Sequence, residues 1–89
     1  MRKRIFVSHP FAGNEAYNRK VVSSICIEIA EQGYLPLSPL NLFDFLEEDG
    51  DMRDDIMQVC YDLIDISDEV WVYGNSAGCQ LEYAYAKMM

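Results

Sequence analysis

The stretch Tyr73-Gly74-Asn75-Ser76-Ala77-Gly78-Cys79-Gln80-Leu81-Glu82-Tyr83-Ala84 decides how this chain is read. An apolar run, Glu69-Val70-Trp71-Val72-Tyr73, leads into it and has the β-branched and aromatic content of a strand. Small residues then form a turn, and a helix begins at Ala77. Glu82 falls on about the second turn of that helix. Gly74 and Gly78 carry no Cβ, so a ligand can approach their backbone closely. Ser76 is a good N-cap, and the free amides after it favour an anion such as a phosphate. One segment therefore offers an anion seat with a carboxylate close by. The same pattern also fits an ordinary strand-to-helix turn with an exposed glutamate, so the flanking chain has to decide.

Working outward, Arg4-Ile-Phe-Val-Ser8 is a short apolar run that reads as a buried strand ending at Ser8-His9-Pro10. The loop Pro10-Phe11-Ala12-Gly13-Asn14 follows. A helix is expected from about Glu15 to Gln32, with Val21, Val22, Ile25, Ile29 and Ala30 at helical spacing and Gly33 as the stop. Tyr34-Leu35-Pro36-Leu37 is the second strand. Proline cannot donate to a ladder, so this strand belongs at a sheet edge. Ser38 to Leu46 reads as a loop or a short turn of helix, and Glu47 to Asp51 as a solvated acidic loop. The next helix starts near Met52, carries Ile56, Val59, Cys60, Leu63 and Ile64 on one face, and closes at Asp65 to Asp68. The third strand is Glu69 to Tyr73, and the last helix runs from Ala77 onward.

Strands alternating with helices imply a parallel sheet covered on both faces. The expected fold is a three-layer α/β/α sandwich with three parallel strands in the order 2-1-3, half of a Rossmann or flavodoxin-like domain. Ligands of such sheets bind beyond the carboxyl ends of the strands, where the strand order reverses. Those ends carry Ser8-His9-Pro10 and Gly74-Asn75-Ser76, so the Ser76 turn and Glu82 fall where topology predicts a pocket.

Composition sets limits on function. The 89 residues make one domain, 1–89, with about half the residues apolar. The net charge of −8 repels polyanions, so no nucleic acid polymer is expected as a partner, whereas a small nucleotide needs only local donors. No apolar run is long enough to span a bilayer, and the start Met1-Arg2-Lys3-Arg4 lacks the apolar core of a signal peptide, so no membrane association is expected. Cys26, Cys60 and Cys79 make neither an even disulfide framework nor a metal spacing. Cys26 and Cys60 read as small core residues, and the compartment as reducing and cytoplasmic. No cofactor and no metal are expected; a lone His9 is not a metal site.

Several stretches together resemble the nucleoside 2-deoxyribosyltransferase-like superfamily, in particular its short bacterial and phage members. They are Ile5-Phe6-Val7-Ser8 with the loop to Gly13, Asn18, Gly33-Tyr34-Leu35-Pro36-Leu37-Ser38-Pro39 and Met52-Arg53-Asp54-Asp55. Ser67 to Gly74 and the block Ser76…Gly78…Glu82…Ala86 complete them, the last being the most specific. The resemblance implies that Glu82 is a nucleophile attacking the anomeric carbon of a nucleoside or nucleotide. A glycosyl ester forms, and water or another base then accepts the sugar. It further implies that Ser76 and the Gly78 amide bind phosphate or ribose, and that the Ser8 to Gly13 loop closes over the sugar. Asp54 or Asp55 would orient the substrate or handle a proton. Phe6 stands where the relatives carry a tyrosine whose hydroxyl orients the nucleophile.

Each candidate has a plainer reading. Glu82 is otherwise an exposed helix carboxylate. His9 is either a ligand contact or a turn residue before Pro10. Arg53 either reaches a phosphate or sugar or pairs with Asp54 and Asp55. Phe43 and Phe45 either stack on a base or pack beneath a loop. Asp62, Asp65 and Asp68 read as a solvated helix edge. Two functions from different classes follow. One is an N-glycosyl hydrolase or transferase that uses Glu82, and the other a non-catalytic binder of a nucleotide-derived small molecule. The third strand would leave an exposed apolar edge and the core is small, so a homo-oligomer, dimer or higher, is expected.

Overall fold

The computed structural model describes residues 1–10, 13–42 and 53–88, the side chains of residues 41 and 53–56 excepted. The elements are β1 (Arg4–Ser8), α1 (Glu15–Glu31), β2 (Leu35–Leu37), α2 (Pro39–Leu42), α3 (Arg53–Ile66), β3 (Glu69–Val72) and α4 (Ala77–Met88). All three strands are parallel, in the order β2-β1-β3. The register sets Phe6 against Leu37 on one side and against Val70 on the other. Pro36 pairs with Ile5 on the edge strand, as its missing donor requires.

The two faces of β1 sort the core, because successive side chains of a strand point to opposite sides. Ile5 and Val7 point to α1 and pack with Val22 and Ile29; Ile25, Cys26 and Trp71 lie against that cluster. Phe6 points the other way, to Cys60 and Ile64 of α3, with Val70, Tyr85 and Ala86 around it. Ser8, two residues beyond Phe6, shares that second face. Two apolar clusters on opposite sides of one sheet give the three-layer sandwich. Trp71 is thus partly buried within the chain, edge-on to Tyr34 at 6.0 Å.

Local signals account for the ends of the elements. Asn14 caps α1 by accepting from the Tyr17 amide at 3.4 Å. At the other end Gly33 takes the left-handed conformation, φ 89°. The Gly33 amide bonds the Ala30 carbonyl at 3.0 Å and the Tyr34 amide the Ile29 carbonyl at 3.2 Å. This Schellman pair uses up the Tyr34 amide, so the second strand begins at Leu35 and not at Tyr34. Ala30, expected on the apolar stripe, is exposed: it lies at the rim of the stripe that Val22 and Ile29 define. The region read as a loop or helical turn contains the short helix α2. Phe43, Phe45, the Glu47 to Asp51 loop and Met52 lie outside the described residues. No described helix is long and apolar enough to cross a membrane.

Candidate functional site

The site is built from β1, α3 and α4, which pack against one another on one face of the sheet. Helix α4 starts where the sequence places it. The Ser76 hydroxyl accepts from the Cys79 amide at 3.3 Å and the Ser76 carbonyl from the Gln80 amide at 2.9 Å, which makes Ser76 the N-cap. From that start, Cys79, Glu82 and Ala86 fall on the inward stripe of the helix. Cys79 and Glu82 are buried, and Ala86 packs against the Phe6 cluster. A glutamate therefore occupies a position at which a helix normally places an apolar residue.

Glu82 is 7% exposed and Ser8 is 0% exposed. The Ser8 hydroxyl donates to Glu82 Oε1 at 2.6 Å, the short distance of a charge-assisted bond. Burial pushes the Glu82 carboxyl above the usual carboxylate range, while hydrogen bonds from Ser8 and from the Cys60 thiol pull it back. The Cys60 thiol is itself pushed well up, first by burial and then by the neighbouring Glu82 charge. Desolvation of the carboxylate outweighs its two donors, so the proton is held more tightly than on a free glutamate. The inward Glu82 is the reading that the structure selects over an exposed helix carboxylate.

The other candidates are placed around this bond. His9 is half-buried, and its Nδ1–H donates to the Pro10 carbonyl at 2.7 Å. Pro10 lies against Gly74: a Cβ on Gly74 would stand 2.5 Å from Pro10 Cγ and Cδ. The close approach expected at Gly74 is therefore made by the protein's own proline ring, which joins the ends of β1 and β3. A Cβ on Gly78 would stand in ordinary van der Waals contact with Ser76 Oγ, at 3.9 Å. Asn75 is exposed, and its carbonyl accepts from Gln80 Nε2 at 2.9 Å. Gly13 is exposed in a left-handed turn, φ 107°. Asn18 is half-buried in the first turn of α1, its amide bonded to the Asn14 carbonyl at 2.9 Å. Arg53, Asp54 and Asp55 occupy the first turn of α3, but their side chains lie outside the described residues.

Two residues escaped the sequence reading. Cys60 reads as a small core residue, which it is, but it is also near enough to Glu82 for each to shift the titration of the other. Ser38, at the carboxyl end of β2, is 3% exposed, and its hydroxyl has no hydrogen-bond partner among the described residues. A buried unpaired hydroxyl is uncommon and marks this strand end as polar too. Among the described residues, no group of His, Cys, Asp and Glu is arranged to hold a metal ion.

Residues 3–89 match the model of a family described as a domain of unknown function, DUF7768. The chain belongs to this family. The match spans β1 to the end of α4, so Ser8, Cys60 and Glu82 are all part of the family domain. No curated protein and no solved structure matches the chain.

Proposed function

We propose that this domain is a nucleoside or nucleotide N-glycosyl hydrolase or deoxyribosyltransferase-like protein, with Glu82 as the nucleophile. The observation that carries the reading is the buried Glu82 carboxyl, hydrogen-bonded to Ser8 at the carboxyl end of the central strand. The resemblance of the Ser76…Gly78…Glu82…Ala86 block to the nucleoside 2-deoxyribosyltransferase-like superfamily supplies the reaction class. In the first step a Glu82 oxygen bonds to the anomeric carbon. The bond from that carbon to the base nitrogen breaks, and the base leaves with the electron pair and takes up a proton. In the second step water or a second base attacks the same carbon and releases the carboxylate, so configuration is retained.

Only the ionised carboxylate attacks, and burial works against that form. The donors from Ser8 and Cys60 counter the desolvation. The start of α4 at Ser76 and Gly78 suits a substrate phosphate, Asn75 flanks it, and Arg53 with Asp54 or Asp55 is assigned to sugar and proton handling. Incubation with deoxynucleotides should release free base, and Glu82→Ala should abolish it. Mass spectrometry should find a glycosyl adduct on Glu82. Base release that survives in Glu82→Ala refutes the mechanism.

A second reading, a binder that does not turn its ligand over, draws support from Phe6. That side chain is fully buried among Cys60 and Ile64 and has no hydroxyl to offer Glu82. Thermal stabilisation by a nucleotide, without product, would favour this reading. We also assign the free edge of β3 to a second copy of the chain. Val72 and Tyr73 there are 39% and 40% exposed on an edge that needs cover. Light scattering at micromolar concentration should give at least a dimer; a monomer refutes this assignment. The three free cysteines fit a reducing, cytoplasmic setting.

A further inference from the structure

A nucleobase is a poor leaving group unless a proton reaches it as its bond to the sugar breaks. Glu82 is joined to the sugar in that step and cannot supply one. His9 follows Ser8 directly in the chain. The Ser8 carbonyl accepts from the Tyr73 amide at 2.8 Å, so the pairing of β1 with β3 fixes the backbone as far as His9. Pro10 comes next, and a residue before proline favours the extended region. Successive side chains of an extended chain point to opposite sides, so His9 leaves the strand tip on the side away from Ser8 and its partner Glu82. Displacement at a carbon brings the nucleophile in on one side and sends the leaving group out on the other. A pentose beyond the tip of β1, attacked by Glu82, therefore turns its base towards the side of His9.

The ring is tethered as well. A carbonyl only accepts, so the 2.7 Å contact with the Pro10 carbonyl places a hydrogen on Nδ1. Pro10 is itself seated against Gly74, just beyond β3. Nε2 has no partner among the described residues, and the ring is only half-buried. We propose that His9 is the catalytic acid that protonates the leaving base. The inference rests on the reading of Glu82 as nucleophile, and it narrows Asp54 and Asp55 to the sugar. In the first step Glu82 bonds to the anomeric carbon, the base departs with the electron pair of the broken bond, and the Nε2 proton passes to the base. In the second step water bonds to that carbon, the ester electron pair returns to Glu82, and the water's proton passes to Nε2. Both groups end as they began.

The test compares two leaving groups on the full chain, in single turnovers that isolate the first step. One substrate is the deoxynucleotide that the wild type cleaves fastest. The other is 4-nitrophenyl 2-deoxyriboside 5′-phosphate, whose nitrophenolate leaves without a proton. His9→Gln should slow base release by about 100- to 10,000-fold, the usual worth of a general acid, and leave nitrophenolate release unchanged. Equal losses on both substrates, or no loss on either, overturn the inference. Asp54→Asn and Asp55→Asn should slow both substrates alike; a loss confined to the nucleotide in one of them, and absent from His9→Gln, overturns it too. Should His9→Gln fail to fold, His9→Ala decides: added imidazole should restore base release, and no restoration overturns the inference. Glu82→Gln should stop release from both substrates. If it does not, or if the wild type cleaves no deoxynucleotide, the nucleophile reading falls and this inference with it, whereas a failed comparison of leaving groups removes His9 alone.

Discussion

Glu82 and Glu69 are the same side chain at opposite ends of one sheet, and their surroundings drive them in opposite directions. At the carboxyl end, Glu82 is buried, faces a hydroxyl and a thiol, and has its carboxyl pushed up. At the amino end, Glu69 is exposed, bonds the Lys3 ammonium at 2.6 Å and the Trp71 Nε1–H at 2.9 Å, and has its carboxyl pushed down. Asp68 beside it accepts from the Arg4 backbone amide at 2.7 Å and is lowered as well. The amino end is closed by solvated ion pairs. The carboxyl end is closed by steric contact, with a desolvated acid behind it. A fold that needs only stability would place charges as at the amino end. An acid desolvated without a cation among the described residues costs stability, and such groups cluster at functional sites.

The difference is broken most strongly at the steric closure. In Gly74→Ala the new Cβ would meet the rigid Pro10 ring at 2.5 Å, far inside contact distance. Neither the ring nor the strand end can yield cheaply. The expected loss is about 1–3 kcal/mol, the range for overpacking, read as a lower urea midpoint. Adding Pro10→Ala should restore much of it, and the double-mutant cycle should show strong coupling. Additive losses would mean that the two strand ends are not joined there.

A smaller effect of opposite sign is expected at Glu82. Its folded-state carboxyl lies above the ordinary 4.5, so the native state holds the proton more tightly than the unfolded chain. The resulting stability is complete below about 4.5 and drains away as pH rises through the raised folded value. Glu82→Gln keeps the shape and cannot ionise. The variant should therefore have a higher urea midpoint than the wild type at neutral pH, and the two should converge in acid. A variant less stable at neutral pH would mean that the charge is compensated, and the contrast between the two ends would weaken.

The sequence makes some of this arrangement legible and hides the rest, for physical reasons. Local signals carried far: Pro36 placed an edge strand, Gly33 ended a helix, and Ser76 began one, so the order β2-β1-β3 follows. Ser8 and Glu82 stand out singly because strand ends at a switch point attract function. Their bond joins residues far apart in the chain, and no local pattern reports it. Cys60 was hidden because a thiol fills an apolar stripe as well as a methyl group does. Asp65 and Asp68 are exposed, as a solvated edge requires, but the spacing does not reveal that Asp65 also accepts from the Tyr85 hydroxyl at 2.7 Å and Asp68 from the Arg4 amide. Gly74 announced a close approach without saying whose, and only the fold brings Pro10 there.

The smallest effect belongs to the amino end and tests whether it is as wet as the contrast requires. The Lys3 and Glu69 side chains are 47% and 42% exposed, so their pair is screened by solvent and salt. Lys3 is raised above 10.5 by its bond to Glu69, so its contribution is present below that value and lost as pH climbs through the raised one. Glu69 is lowered below 4.5, so its contribution is present above that value and lost as pH falls through the lowered one. Lys3→Met should therefore lower the urea midpoint slightly between these limits at low salt. The difference should close at both pH extremes and vanish in molar salt. A Lys3→Met deficit that persisted in molar salt would make the pair a buried, unscreened contact. Both ends of the sheet would then be dry, and the isolation of Glu82 would no longer single out one end for chemistry.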